Sequence, residues 1–84
     1  MSEYTKEDII SWQNLPENFE ELIGKEVFFG DYPTSLIRNA NFGKNDAKGV
    51  LTSFDSDYLM FDIDFDSYYN FPRLYIIPVK EEEA

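Results

Sequence analysis

The clearest pattern in the chain is an alternation of apolar and acidic residues over residues 59–66. The odd positions are all apolar: Leu59, Phe61, Ile63 and Phe65. The even positions after Met60 are all aspartates: Asp62, Asp64 and Asp66. Successive side chains of a strand point to opposite faces of its sheet, so a period of two predicts a strand with one buried face and one wet face.

Three further segments rich in β-branched and aromatic residues predict strands, at residues 26–29, 49–54 and 73–79. Within 49–54, simple alternation places Val50, Thr52 and Phe54 on one face and Leu51 and Ser53 on the other. Turn-forming residues separate the strands, and residues 55–57 predict a tight hairpin connection. Residues 67–70 break the alternating pattern, and residues 34–42 are compatible with either a strand or a loop.

The first part of the chain carries helical signals. Thr5 can cap a helix whose first turn is acidic, and Pro16 can open a second helix. Phe19, Leu22 and Ile23 have the spacing of one helical face, and Gly24 is a suitable C-terminal cap. Residues 5–23 are therefore predicted to form two short helices or one broken helix.

These segments predict one α+β domain, mainly β, in a chain whose 84 residues fit a single domain. A short N-terminal helix or helix pair (residues 5–23) precedes a strongly bent, four- or five-stranded antiparallel sheet (residues 25–79). Residues 80–84 form an acidic tail. Closing the sheet into an SH3-like barrel would remove its edges. A flat open sheet covered by the helix is the alternative.

The residues present also limit the chemistry that the chain can perform. Cysteine and histidine are absent, which removes thiolate nucleophiles, the commonest general base and the commonest transition-metal ligands. The four glycines are scattered and form no phosphate-binding loop. Paired carboxylates could transfer protons, but they would need a cleft that so short a chain rarely builds. We therefore expect no enzymatic activity and no cofactor.

The balance of charge is strongly acidic. Seventeen acidic and seven basic residues give a net charge of −10. Such a field repels nucleic acid and anionic lipid and attracts basic protein surfaces, although acidity can also serve solubility alone. The polar N-terminus lacks the features of a secretory signal, and no apolar run approaches the length of a membrane span. These features favour a cytoplasmic protein.

One segment resembles a known family. Gly49-Val50-Leu51-Thr52-Ser53-Phe54-Asp55, followed by Tyr58-Leu59-Met60-Phe61, is similar to the bent strand pair of the Sm-like small barrels. The specific part of the resemblance covers residues 49–61, and a looser match extends over residues 25–79. The resemblance implies a small SH3-like β-barrel after an N-terminal helix and, as the family's function, RNA binding by an oligomer.

The aspartates around residue 62 form the candidate binding surface, together with two neighbouring tyrosines of a type common in protein interfaces. The predicted partner-binding residues are Asp55, Asp57, Asp62, Asp64, Asp66, Tyr68 and Tyr69. Alternatively, the aspartates are only the wet side of a strand, and the tyrosines fill the core. The Asp62-x-Asp64-x-Asp66 spacing also matches the start of an EF-hand loop. Ser67 and Arg73 stand where that loop needs Gly and Glu, so no metal site is predicted.

The leading hypothesis is a non-enzymatic module whose acidic face binds a basic protein surface. Its sharpest form is a nucleic-acid mimic that occupies the groove of a nucleic-acid-binding protein, as inhibitors encoded by phages do. The alternatives are an immunity protein against a basic toxin, an Sm-like RNA-binding oligomer that uses Arg38, Lys44 and Lys48, and a structural or assembly subunit. The oligomeric state is left open.

Overall fold

Six strands form one antiparallel sheet in the computed structural model, which describes residues 3–55, 57, 60–65 and 67–80, without the side chains of residues 65 and 67–71. The strands are β1 (Ile10–Ser11), β2 (Glu26–Gly30), β3 (Lys48–Asp55), β4 (Met60–Phe65), β5 (Ser67–Pro72) and β6 (Tyr75–Pro78). Their order in the sheet is β1-β6-β2-β3-β4-β5. The two-residue β1 and the six-residue β5 are therefore its edges.

One α-helix, α1 (Pro33–Phe42), lies between β2 and β3. Pro33 begins it at a position where a missing N–H is harmless, and Gly43 ends it in the left-handed conformation with φ 66°. Leu36 and Ala40, four residues apart, are buried on its inner side. The prediction of a strand or loop here is wrong, because the capping residues delimit a helix that packs on the sheet.

The prediction of an N-terminal helix or helix pair is also wrong. Residues 5–23 contain two single 3₁₀ turns, Lys6–Asp8 and Phe19–Leu22, separated by β1. The cap at Thr5 is real, since its side chain and that of Asp8 form a capping box. The chain leaves the turn at Ile9 and enters the sheet, where Ile10 pairs with Ile76.

The segment before β2 covers one face of the sheet, which we call the Phe61 face. Phe19 is buried there against Phe61, at 5.5 Å between ring centroids, and against Phe54 at 4.6 Å. The buried members of this cluster are Phe19, Val27, Leu51, Phe61, Ile63, Leu74 and Ile76, with Trp12, Leu15 and Leu22 packed against them. The irregular N-terminal segment therefore does the covering that a helix was expected to do.

Helix α1 covers part of the opposite face, which we call the Asp62 face. It packs on β2 and β6. The second cluster of buried residues consists of Tyr4, Phe28, Leu36, Ala40 and Ile77. Because α1 sits over β2 and β6, the sheet is buried on both sides there, whereas exposed side chains remain on the β3 and β4 part of the same face.

An irregularity in β3 changes which residues point inward. Leu51 pairs with Ile63, but the next pair is Ser53 with Asp62, so Thr52 is an extra residue in a β-bulge. Leu51 before the bulge and Phe54 after it both belong to the Phe61 face. The predicted grouping of Val50, Thr52 and Phe54 on one face is therefore wrong, because the bulge shifts the alternation by one residue.

The remaining strand predictions agree with the structure in position. Strands β2, β3, β4 and β6 occupy the segments predicted at 26–29, 49–54, 59–66 and 73–79, within a few residues at each end. Phe61 and Ile63 are fully buried, as the alternation requires, whereas Leu59 lies outside the described residues. Strand β5 occupies residues 67–72, although residues 67–70 break the alternating pattern and were not among the segments predicted as strands.

The end of α1 provides a test of backbone conformation. We expect Gly43→Ala to lower the free energy of unfolding by about 1 kcal/mol, because φ 66° is costly for a residue with a Cβ. An added Cβ would meet no atom within 4 Å, so a clash contributes nothing. Gly43→Asn should cost less, since asparagine tolerates this conformation. Equal losses for both variants in urea unfolding would contradict this explanation.

Candidate acidic binding face

All charged residues in the strands lie on one face of the sheet. They are Glu26, Lys48, Asp55, Asp62 and Asp64. Residues paired directly across antiparallel strands share a face. The pairs Glu26–Val50, Val50–Asp64 and Asp55–Met60 therefore place these charges on the Asp62 face. Folding thus collects on one surface the charges of three strands.

Lys48 is the single cation among these strand residues, and it is already engaged. Its Nζ lies 3.8 Å from Glu26 Oε2 and 5.8 Å from the centroid of the Phe28 ring. Because Lys48 offsets the charge of Glu26, the remaining charge of the strands on this face is that of three residues, Asp55, Asp62 and Asp64. We call these three residues the acidic face.

Asp62 is the best-positioned member of the acidic face. Ser53 Oγ donates a hydrogen bond to Asp62 Oδ2 at 2.5 Å. Thr52 Oγ1 donates another to the carbonyl oxygen of Asp62 at 2.9 Å. Both donors belong to the bulged part of β3, so the bulge that shifts the alternation also holds this half-buried carboxylate in place.

The other acidic residues are more exposed. Asp64 is exposed two positions along β4 from Asp62, which corresponds to about 6.6 Å along a strand. Asp55 ends β3, and its Oδ1 accepts a hydrogen bond of 2.9 Å from the backbone N–H of Asp57. Asp57 is exposed beside it. The structure thus brings four of the five predicted aspartates to neighbouring positions.

The predicted tyrosines are placed only by the register of β5. Tyr68 pairs with Asp64, and Tyr69 pairs with Ile63. Paired residues share a face, so the two positions belong to opposite faces of the sheet. The position of Tyr68 adjoins the acidic face, and that of Tyr69 does not. Asp66 lies outside the described residues.

Comparison with known proteins gives no family for this chain. No protein-family model, no curated protein and no solved structure matches it. The function must therefore be inferred from the face itself, and the similarity to the Sm-like barrels stays a prediction.

Four other cations of the chain have partners or positions outside the strands of the acidic face. Lys80 Nζ lies 3.5 Å from Asp8 Oδ2, and the Arg73 guanidinium lies 5.5 Å from the Trp12 ring. Arg38 and Lys44 are exposed on and just after α1. Of the three residues predicted for RNA binding, Arg38 is exposed in the middle of α1, Lys44 is exposed just after α1, and Lys48 is paired with Glu26.

The described residues also bear on metal binding, membrane insertion and small-molecule binding. In the part of the chain that the structure describes, no three carboxylates are grouped so that they could hold a metal ion. None of the described helices has the length and apolar character needed to cross a bilayer. A depression of about 350 Å³ lies beside the ends of β2 and β6, lined by Leu22, Gly24, Lys25, Glu26, Pro78 and Val79. It contains none of the predicted site residues.

The sequence predicted the aspartates of the acidic face but not the residues that hydrogen-bond Asp62 and fix its position. Simple alternation places Thr52 and Ser53 on opposite faces of the strand, and it gives no sign of the bulge. Glu26 and Lys48 are distant in sequence from Asp62, and only the strand pairing shows that they share its face.

Proposed function

We propose that this protein is a non-enzymatic binding module that docks its acidic face on a basic surface of another protein. The observation that carries the proposal is the segregation of strand charges onto the Asp62 face, where Asp55, Asp62 and Asp64 outnumber the single cation Lys48. A net charge of −10 adds a long-range field of the same sign. Such a field speeds encounter with a basic partner and disfavours acidic ones.

Exposure alone would also suit a merely solvated strand face, but the arrangement at Asp62 supports binding. The hydrogen bond from Ser53 fixes the carboxylate before any partner arrives, which lowers the ordering cost of docking. Asp62 and Asp64 also carry like charges two positions apart on one strand, and these charges repel each other. A solubilising surface needs neither feature, because dispersed charges of both signs serve solubility.

The sharpest form of the proposal is mimicry of nucleic acid. One strand of a duplex carries a phosphate about every 3.4 Å along the axis, whereas Asp62 and Asp64 stand about 6.6 Å apart. The two aspartates of β4 therefore imitate about every second phosphate, and Asp55 adds one charge on the neighbouring strand β3. The partner proposed is a cytoplasmic protein with a basic nucleic-acid-binding groove, which the module would block.

Charge reversal on the acidic face should weaken capture of the partner. We expect the Asp62→Lys/Asp64→Lys variant to bind at least about tenfold more weakly, with a flatter dependence on salt. The matched control is Glu17→Lys/Glu20→Lys, at exposed positions next to Phe19, on the side of the Phe61 face. Each replacement adds two charges, so both variants have a net charge of −6 instead of −10.

The measurement is affinity capture from nuclease-treated lysate at low and high salt, followed by titration of the purified partner. The proposal is supported if the natural chain and the control variant both capture a basic nucleic-acid-binding protein and the acidic-face variant does not. Equal retention by both variants would show that net charge, rather than this face, drives binding. Thermal unfolding of each variant must first show that the sheet is intact, because Lys at position 62 loses the bond to Ser53.

A further inference from the structure

Among the residues that the structure describes, strand β5 pairs with β4 on one side only, so its other side is an unpaired edge of the sheet. Natural edge strands are kept from pairing by charged residues, prolines, bulges or short length. Strand β5 is six residues long and has no charged residue, although charged residues make up 29% of the chain. Its single proline, Pro72, is the last residue of the strand. The opposite edge, β1, has two residues and offers almost no backbone for pairing.

We propose that β5 accepts an extended, basic segment of the partner as a seventh strand of the sheet. This inference rests on the proposed function, since it assigns the shape of the basic element that the acidic face attracts. Addition of a strand supplies backbone hydrogen bonds that do not depend on sequence, and side chains at alternate positions then give specificity.

The register of β4 and β5 indicates which side chains the added strand needs. Asp62 pairs with Asn70, and Asp64 pairs with Tyr68. A strand added beyond β5 lies two strand spacings, about 9.6 Å, from the backbone of β4. Lys or Arg side chains on the Asp62 face of that strand are long enough to approach the carboxylates across β5. Their alternate spacing of about 6.6 Å matches that of Asp62 and Asp64.

The alternate residues of the added strand point to the other side of the sheet. There they continue the Phe61 face, whose β4 residues Phe61 and Ile63 are fully buried. Apolar side chains suit these positions. The recognised element is therefore an amphipathic basic strand, in which Lys or Arg alternates with apolar residues.

A second copy of the chain is a poorer occupant of the same edge. Two copies joined through β5 would each bring a net charge of −10, with their acidic residues near the junction. Repulsion between such charges opposes pairing, whereas a basic segment is attracted by the same field. The charge thus selects a basic strand over self-association.

The test uses synthetic peptides on the full chain. The alternating peptide is Lys-Val-Lys-Val-Lys-Val-Lys-Val with both ends blocked, and the clustered peptide has the same residues with all lysines first. We expect the alternating peptide to bind at least about tenfold more tightly, because it alone presents both faces of an amphipathic strand. Hydrogen exchange should show new protection of backbone amides within residues 67–71, at the edge that accepts the strand.

Backbone methylation separates strand addition from attraction of charge. Two versions of the alternating peptide carry N-methyl groups, one on every lysine and one on every valine. Each version lacks donors along one edge of the peptide strand, and a single edge faces β5. One version should therefore lose about tenfold or more in affinity while the other keeps it. Equal affinities of the two versions, or of the alternating and clustered peptides, would overturn the inference.

The Asp62→Lys/Asp64→Lys variant distinguishes failure of this inference from failure of the proposed function. If both peptides bind the variant as well as the natural chain, the acidic face does not attract basic elements and the proposed function fails. If both bind it more weakly but the alternating peptide never has an advantage, strand addition alone fails. A stable dimer of the free protein with residues 67–71 already protected would also overturn the inference, because the edge would then be occupied by a second copy.

Discussion

Phe19→Ala is expected to lower the free energy of unfolding by about 3–5 kcal/mol. The ring is 1% exposed and meets Phe54 edge-on and Phe61 at a tilt. Truncation would open a cavity between the N-terminal segment and the sheet, because the rigid strands cannot collapse into it. A chain of 84 residues has a total stability of about 4–13 kcal/mol. The variant should therefore lose a large part of its stability.

Phe42→Ala is the matched control for this substitution. Phe42 is the same residue type but 71% exposed at the end of α1, so its removal should change stability by less than about 0.5 kcal/mol. Urea unfolding followed by the fluorescence of Trp12 measures both variants on the same scale. Similar losses at the two positions would mean that residues 10–23 do not cover the Phe61 face as described.

Tyr4→Ala is the second substitution with a large expected effect, again about 3–5 kcal/mol. Tyr4 is 6% exposed, and its ring meets Phe28 edge-on at 5.6 Å. Its hydroxyl oxygen accepts a hydrogen bond of 2.9 Å from the backbone N–H of Lys80. The side chain of Asn41 bonds the backbone N–H and the carbonyl oxygen of Tyr4, at 2.7 and 3.1 Å. One residue thus ties the start of the chain to α1, β2 and the segment after β6.

Two further substitutions separate the contribution of the Tyr4 ring from that of its hydroxyl and provide an exposed control. Tyr4→Phe keeps the ring and removes the hydroxyl, so about 1 kcal/mol should be lost. Tyr32→Ala removes a tyrosine that is 70% exposed before α1, and it should be close to neutral. The idea that the N-terminal residues are part of the core fails if Tyr4→Ala unfolds at the same urea concentration as Tyr32→Ala.

A common physical cause explains both the helix that was wrongly predicted at residues 5–23 and the helix that was missed at residues 33–42. At residues 5–23 the capping signals at Thr5 and Pro16 are local. Thr5 caps a single 3₁₀ turn, and Pro16 starts a turn that is closed by a hydrogen bond from the Phe19 N–H to the Pro16 carbonyl oxygen. Whether a turn continues as a helix depends on what its next residues can bury. Ile10 pairs with Ile76 in the sheet and becomes partly buried against the Phe61 face. Residues 33–42 form a helix because Leu36 and Ala40 become buried in one cluster with the sheet residues Phe28 and Ile77.

The sequence predicted the aspartates of the candidate site, both those of β4 and Asp55 at the end of β3. The alternation over β4 identified Asp62 and Asp64 without any tertiary information. It could not show that Glu26 and Lys48 join them from β2 and β3, since strand order is a property of the whole sheet. The bulge at Thr52 likewise requires β4 alongside β3, and without it Ser53 would not stand opposite Asp62.

The amino-acid order alone establishes the acidity, the lack of histidine and cysteine, and the two-faced character of β4, because each depends on composition or on the period of a single strand. Tertiary structure decides where α1 lies, which half of the Asp62 face it covers and which strand is left at the edge. These outcomes depend on contacts between residues far apart in the chain, such as Tyr4 with Asn41 and Phe28 with Ile77. The order of residues within a single segment does not indicate such contacts.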